Sequence, residues 1–225
     1  MRVGVLECDH VSERYRGIDG DYTDMFESLL ARDLVPYDAV NGELPARPDE
    51  CDAWLATGSR YSVYDDADWI TRLLDFVRQV RDAETAFVGI CFGHQLLAHA
   101  VGGRTDKASV GWGVGAIDTW VEPTSSEQLL LYMHQDQVVE VPDGATVIGR
   151  TDHCPIAMLE LGPMLGIQAH PEFSATYVEA LLDARVDRIG AEVTARAKQS
   201  LERVGDAEDA ARVGRLITTF LETHT

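Results

Sequence analysis

Short apolar runs that alternate with helical patterns constrain the fold of this chain more than any other feature. Each run has the length and composition of a buried strand. The runs cover residues 2–8, 34–40, 53–57 and 86–90. Between them, residues 23–32 predict a short helix, and an amphipathic helix follows Asp68. Strands that alternate with helices predict an α/β fold built on a parallel sheet.

The second half of the chain has a different pattern. Residues 102–168 show shorter, strand-like segments, which predict an antiparallel excursion from the parallel core. These segments are GVGAIDTWV, ATVIGR, IAMLEL and MLGIQA. From about residue 174 to residue 225 the pattern is helical, with an apolar stripe at Val213, Leu216, Ile217 and Phe220. The expected α/β architecture is flavodoxin-like: one domain over 1–225, with a mostly parallel sheet, helices on both faces, an antiparallel extension and a helical C-terminal extension.

The chain carries a large excess of acidic side chains. Thirty-eight Asp and Glu residues face 19 Lys and Arg residues, a formal net charge of -19. Such a surface repels phosphate backbones and anionic lipid, and the sequence shows no basic patch, so we expect neither nucleic-acid nor membrane binding. Lys107 and Lys198 are the only lysines. Acid excess with arginine in place of lysine favours a halophilic protein in concentrated intracellular salt.

The N-terminus and the cysteines predict a cytoplasmic location. Residues 1–9 run into a strand pattern without the features of a signal peptide, and no run of about 18 apolar residues follows. The cysteines lie far apart, which fits neither a disulfide framework nor a CxxC metal site. They are Cys8, Cys51, Cys91 and Cys154. Because the Cys154 and His153 pair lacks further ligands at metal spacing, we expect no metal.

A G-x-C-x-G sequence joins the fourth apolar run to a helical pattern, with Cys91 at its centre and Gly89 and Gly93 on either side. A sharp strand-to-helix turn holds the central residue in a strained conformation, and only small neighbours let the chain pass so closely. The helix N-terminus favours a thiolate at this position. A buried, inert cysteine is the alternative. The elbow context favours a catalytic nucleophile.

A cysteine nucleophile needs a base, and the base needs an orienting group. His170 follows a predicted strand, and Glu172 is separated from it by a proline that restricts the backbone. A solvated loop is the alternative reading of this short motif taken by itself. The competing histidines lack this arrangement: His10, His94, His99, His134, His153 and His224. The sequence therefore predicts that Cys91, His170 and Glu172 form a catalytic triad.

With both motifs in hand, the chain resembles the class I glutamine amidotransferases, particularly a stand-alone group similar to the amidotransferase domain of guanosine monophosphate synthase. The matching motifs are spread over nearly the whole chain. They are TGSRYSVYDDADWI (57–70), GICFGHQLLAHAVGG (89–103), MHQDQV (133–138), QAHPEF (168–173) and, near the end, ARVGRLITTFL.

The resemblance implies a mechanism for the triad. The Cys91 thiolate attacks the side-chain amide carbon of glutamine, which gives a γ-glutamyl thioester. His170 protonates the leaving ammonia and then activates water, and Glu172 orients His170. The backbone amides of Gly58 and Phe92 are implied to form an oxyanion hole. No cofactor is implied.

The resemblance also implies a substrate-binding set. Gln95 and the stretch that contains Met133, Gln135 and Asp136 match positions that hold the α-amino and carboxylate groups of the substrate. A helix cap or a turn is the alternative role for these residues.

Two departures from the family pattern concern the ligand. Many relatives have a Gly-Gly-Pro-type loop where this chain has Thr57-Gly58-Ser59-Arg60, so Arg60 is a candidate contact for a substrate carboxylate. Gln135 stands where many relatives have glycine, which narrows the expected pocket.

The sequence favours a free-standing hydrolase that acts on glutamine or another γ-glutamyl small molecule. It contains neither an SGGxDS signature nor a G-x-x-x-x-G-K-S/T phosphate loop. One alternative is a glutaminase subunit that supplies ammonia to a separate synthetase subunit. The others are a non-catalytic module and a redox module on the same fold, the latter with Cys8 and Cys154 available for oxidation.

Overall fold

A computed structural model of the chain describes residues 1–122, 126–205 and 208–225. Within these ranges the strands are β1 (Val3–Leu6), β2 (Val35–Tyr37), β3 (Ala53–Ala56), β4 (Ala86–Ile90), β5 (Arg104–Lys107), β6 (Gly113–Val121), β7 (Ser126–His134), β8 (Asp136–Glu140), β9 (Thr146–Arg150), β10 (Met158–Leu161) and β11 (Met164–Ile167). The helices are α1 (Arg16–Asp19), α2 (Tyr22–Leu30), α3 (Asp68–Asp82), α4 (Phe92–Ala100), α5 (Ala175–Ala184), α6 (Val186–Ile189), α7 (Ala191–Leu201) and α8 (Glu208–Thr223).

Nine of these strands form one sheet in the order β2-β1-β3-β4-β11-β10-β9-β6-β7. The strands from β2 to β11 pair in parallel. From β11 onward every neighbouring pair is antiparallel. Strands β5 and β8 form a small separate antiparallel sheet. The α/β prediction, a parallel core with an antiparallel extension, is confirmed.

Alternate side chains of the parallel strands enter two different cores, one on each face of the sheet. Val3, Val88 and Ile90 pack on one face with residues of α2 and α8, while Leu6 and Phe87 pack on the other with residues of α3 and α4. Because every second residue of a strand points to the same face, this division requires apolar residues at consecutive positions. The continuous apolar runs of the sequence therefore reflect burial on both faces.

The observed elements differ in two places from the sequence-based expectation. The second strand ends at Tyr37, because the Asp38 side chain accepts from the backbone N–H of Asn41 and caps a 3-10 turn over Ala39–Asn41. Strands β5, β7 and β8 do not stand out in the apolar pattern. Strand β5 is mostly exposed, and β7 and β8 bury polar residues among their apolar ones: Gln128, His134, Asp136 and Gln137. In the described part of the chain, no helix combines the length and apolarity that a bilayer span requires.

The apolar stripe predicted near the C-terminus forms the inner face of α8. Val213, Ile217 and Phe220 are buried there, and Leu216 is half-buried. Upstream, α5 and α7 pack with β6 and β7 residues in a third apolar cluster. The helices after Ser174 thus cover both the parallel and the antiparallel part of the sheet.

Two glycines allow α4 to lie directly on the sheet. A side chain at Gly89 would overlap the carbonyl group of Gly93, and a side chain at Gly93 would overlap the carbonyl oxygen of Ala56 in β3. The backbones are therefore in contact, which only glycine permits.

We expect Gly89→Ala to destabilise the protein by about 1–3 kcal/mol, because the added methyl group forces α4 away from β4. Gly17→Ala is the matched control, since nothing lies within 4 Å of a side chain at Gly17 and its φ is ordinary. The control should be neutral or slightly stabilising. Urea unfolding of both variants measures the difference; equal stabilities would show that the helix does not depend on this contact.

Candidate active site

Four neighbouring parallel strands deliver polar residues to the same edge of the sheet. At their carboxyl ends, β1 leads to Asp9, β3 to Gly58, β4 to Cys91 and β11 to His170. In open α/β sheets, ligands bind at this edge. The topology therefore brings together residues that are up to 161 positions apart in the sequence, Asp9 and His170.

Cys91 occupies the strained turn between β4 and α4. Its backbone has φ 51° and ψ −97°, and it is the N-cap residue of α4. Its N–H donates to the carbonyl of Ile167 in β11 at 2.8 Å. A non-glycine residue is seldom held at such angles unless its surroundings over-determine them. Here the two adjoining strands and the close-packed helix fix the sulfur at the sheet edge.

His170 and Glu172 form a buried pair. The Nδ1 atom of His170 lies 2.7 Å from the Oε1 atom of Glu172. The His170 side chain is 4% exposed and the Glu172 side chain 0%. The second oxygen of Glu172, Oε2, is buried without a hydrogen-bond partner among the described residues. The negative charge of this carboxylate is therefore directed largely at one imidazole ring.

Further contacts fix the orientation of the His170 ring. Phe173 stacks on it with ring centroids 4.0 Å apart and an interplanar angle of 6°. The backbone N–H of His170 donates to the carbonyl of Leu131 in β7 at 2.8 Å. An aromatic face also favours a positively charged ring.

The electrostatics of the pocket favour a protonated His170. Burial lowers the pKa of this imidazole, but the Glu172 carboxylate and the Cys91 sulfur outweigh burial and raise the pKa to about 10. In contrast, burial lowers the pKa of His134 to about 3 and that of His94 to about 4. Both of those rings are neutral at physiological pH, so neither can donate a proton as readily as His170.

Gly58 lies against both the cysteine and the histidine. A Cβ atom at this position would be 2.8 Å from the Cε1 atom of His170 and 3.7 Å from the Cβ atom of Cys91. Among the described residues, no acceptor is paired with the Gly58 N–H. Phe92 is the first residue of α4, where an N–H has no intrahelical acceptor. Both N–H groups predicted to form the oxyanion hole are thus available to donate a hydrogen bond beside Cys91.

Cys91 lines a cavity of about 120 Å³, which we call the reaction cavity. All the residues that the sequence assigned to substrate binding line it as well: Arg60, Gln95, Met133, Gln135 and Asp136. The Gln95 side-chain nitrogen donates to the Asp136 carbonyl at 2.8 Å and to Gln168 Oε1 at 3.1 Å. Asp136 also accepts from the hydroxyl of Ser62. Gln95 and Asp136, two of the residues predicted to contact the substrate, thus already form hydrogen bonds within the cavity wall.

Arg60 reaches the cavity, but its guanidinium group is occupied. Its Nε atom lies 2.8 and 3.0 Å from the two oxygens of Asp9, and its Nη2 atom lies 2.8 Å from Oδ1 of the same carboxylate. The Asp9 side chain is only 8% exposed, so the pair is partly shielded from water. The positive charge that was expected to contact a substrate is therefore largely compensated by Asp9.

The remaining cysteines lack the environment of a nucleophile. All four thiols are free and buried. Burial raises the pKa of Cys8 far above its ordinary value and that of Cys154 to about 12, and it also raises the pKa of Cys51. Because the thiolate is the reactive form, these three cysteines are poor nucleophiles.

Sequence reasoning missed several residues that line the reaction cavity, among them Lys107, Trp112, Arg185 and Arg188. Arg185 ends α5 and Arg188 lies in α6, well outside the recognisable motifs. A usable signal was the three-residue spacing of two arginines, which puts them on one face of a helical segment. In so acidic a chain, such a pair is notable.

Comparisons with known proteins agree on a family. A family model described as "Glutamine amidotransferase class-I" matches residues 33–186. Gamma-glutamyl peptidase 5 of Arabidopsis thaliana is 30% identical over 186 residues, which cover 75% of this chain and 74% of the relative. The glutamine-hydrolysing GMP synthase of Clostridium perfringens is 32% identical over 174 residues, which cover 69% of this chain and 33% of that enzyme.

A solved structure supports the same fold. The glutamine amido transferase from Methylobacillus flagellatus superposes with a TM-score of 0.76 at 18% sequence identity. The superposition covers 99% of this chain and 94% of the other. The architecture is therefore shared over the full length of both proteins.

We expect Glu172→Gln to lower the pKa of His170 well below about 10, because burial then acts with only the sulfur opposing it. In the unsubstituted protein the ring is protonated below pH ~10 and loses its proton as the pH rises through that value. Proton NMR of the ring Cε1–H against pH measures the shift. Glu160→Gln, an exposed carboxylate in β10, is the control. An unchanged titration in Glu172→Gln would contradict the electrostatic account.

Proposed function

The chain belongs to the class I glutamine amidotransferase family, and from that premise we propose that it hydrolyses the amide bond of glutamine or a γ-glutamyl compound through a cysteine thioester. The observation that carries the proposal is the buried Glu172–His170 pair beside Cys91 in its strained turn. Gamma-glutamyl peptidases and a glutamine-hydrolysing synthase among the relatives support this substrate class.

In the first step, the Cys91 thiolate attacks the carbonyl carbon of the γ-amide. The negative charge moves to the carbonyl oxygen, where the N–H groups of Gly58 and Phe92 stabilise it. The carbon–nitrogen bond then breaks, and protonated His170 gives its proton to the departing nitrogen. Ammonia or an amine leaves, and the γ-glutamyl group stays on the sulfur as a thioester.

In the second step, water hydrolyses the thioester. The Cys91 sulfur is neutral once acylated, so one of the two groups that raise the pKa of His170 no longer does so. The neutral ring can then accept a proton from water as the water attacks. The carbon–sulfur bond breaks, glutamate is released, and the returning thiolate restores the charged pair.

A free-standing hydrolase fits the comparisons better than a synthetase subunit. The plant γ-glutamyl peptidase is matched over 74% of its length, whereas the bacterial GMP synthase is matched over 33%. The second candidate, a glutaminase subunit that supplies ammonia to a synthetase partner, is favoured by the GMP synthase relative. A redox role is disfavoured because Cys8 and Cys154 are buried with raised pKa values.

The charge balance supports adaptation to concentrated salt in a cytoplasm. Acidic residues outnumber basic ones two to one. Exposed arginines such as Arg78, Arg104 and Arg212 each pair with a nearby carboxylate, and most acidic side chains in the described part of the chain have no cation at ion-pair distance. Dense salt screens the resulting repulsion.

We expect the purified chain alone to release ammonia from glutamine or an amine from a γ-glutamyl peptide. Cys91→Ala should lower kcat by a factor on the order of 10⁴ or more. The loss of kcat in Glu172→Gln should be about two orders of magnitude smaller, since the Glu172 side chain only orients the base. Cys51→Ala, which removes a buried thiol outside the reaction cavity, is the control and should keep normal turnover.

Two results would contradict this assignment in different ways. Normal turnover in Cys91→Ala would remove the triad. A chain that is inert alone and active only with a synthetase partner would identify an amidotransferase subunit.

We expect the melting temperature to rise steeply as potassium chloride increases from low to molar concentration. The Debye length shrinks to ~3 Å near 1 M salt, so repulsion among the acidic side chains is screened. Differential scanning calorimetry measures the response. A flat profile would argue against a halophilic protein.

A further inference from the structure

A second cavity adjoins the reaction cavity and shares a wall with it. It measures about 240 Å³, and we call it the side cavity. Arg60, Arg185 and Arg188 line both cavities. Lys107 lines only the reaction cavity, and Arg14 only the side cavity.

The charge of this double cavity is opposite to that of the whole protein. Five cationic side chains line it, against the carboxylates of Asp9 and Asp136. The chain as a whole has a formal net charge of -19. A cationic recess in an acidic surface focuses anions into one place, since the rest of the surface repels them.

Three of the four cations that line the reaction cavity are available to a ligand. Within the described residues, no carboxylate lies at ion-pair distance from Lys107, Arg185 or Arg188. Arg60, in contrast, is held by Asp9, and the other lysine of the chain, Lys198, is paired with Asp183 at 2.7 Å.

Local structure holds two of these cations on the cavity side. The Arg188 N–H donates to the Arg185 carbonyl at 2.9 Å, so the two residues lie one turn apart. The guanidinium of Arg188 lies over the ring of Trp112, 5.7 Å from its centroid. Trp112 itself lines the reaction cavity. Such a contact orients a guanidinium group while leaving its N–H donors free.

We propose that Arg185 and Arg188, with Lys107, form a subsite for a carboxylate on the leaving group of a γ-glutamyl substrate. This inference rests on the proposed function, because it concerns the amine that departs when Cys91 attacks. The preferred substrates are γ-glutamyl amino acids or peptides, whose amine product carries a free carboxylate. Glutamine, which releases ammonia, has no group for this subsite.

Fixed guanidinium groups suit a carboxylate, because they donate parallel hydrogen bonds from a planar fork. The subsite leaves the reaction itself unchanged. The carbon–nitrogen bond still breaks with proton transfer from His170, and the amine leaves with its carboxylate intact.

The test compares γ-glutamylglycine with γ-glutamylglycinamide. The two compounds differ only in the terminal group, which is a carboxylate in the first and a neutral amide in the second. In the unsubstituted protein, we expect kcat/KM to be at least about tenfold higher for the glycine compound. The ratio should fall to near one in Arg185→Gln/Arg188→Gln, and part of the way in Arg188→Gln. Arg150→Gln is a matched control, because Arg150 also lies over a tryptophan, 5.6 Å from the Trp120 centroid, but outside both cavities.

A binding measurement separates this inference from the proposed function. Isothermal calorimetry with Cys91→Ala should show γ-glutamylglycine binding about tenfold tighter than the glycinamide, and adding Arg185→Gln/Arg188→Gln to this variant should close the gap. If neither compound nor glutamine is hydrolysed but the binding gap is present, the proposed function fails and the subsite stands.

Two outcomes overturn the subsite. One is an equal kcat/KM for γ-glutamylglycine and γ-glutamylglycinamide in the unsubstituted protein. The other is an equal loss for γ-glutamylglycine, the glycinamide and glutamine in the arginine variants, which would place these cations at the glutamyl end of the substrate.

Discussion

The contact between helix α4 and the sheet is the constraint on which the rest of the site depends. Gly89 and Gly93 bring backbone against backbone, so the chain must reverse within a single residue. That residue is Cys91, which has a positive φ and lies at the carboxyl edge of the sheet. The histidine, its carboxylate and the glycine loop are useful only because the sulfur has one fixed position for them to surround.

The same edge shows how one buried charge can organise proton transfer. Within the described residues, no cation other than the His170 ring lies at ion-pair distance from Glu172, and the Glu172 side chain is fully buried. The charge of this carboxylate therefore acts mainly on that ring and raises its pKa. In the proposed mechanism, acylation of the sulfur lowers the pKa of that ring, so the ring donates a proton in the first step and accepts one in the second.

The fold and the centre of the site could be predicted from sequence because both depend on local patterns. Apolar runs mark the parallel strands, and the glycines around Cys91 mark the turn. The Glu172 motif is read in the same way, since His170 and its partner lie two positions apart. Arg185 and Arg188 could not be assigned, because their role depends on which strand ends α5 and α6 pack beside. Arg60 could be identified in its loop, but its pairing with Asp9 could not be predicted, because the two residues lie 51 positions apart in the sequence.

Strand β7 has a double attachment that limits how the site can diversify. Its Leu131 carbonyl accepts from the N–H of His170, and two residues later Met133 lines the reaction cavity. A change in this strand therefore moves His170 and the wall of the reaction cavity together. The arginines lie at the end of α5 and in α6, a segment that carries neither Cys91 nor His170. Selection for a new leaving group can act on that segment alone, which makes substrate choice evolvable while the reaction machinery is held constant.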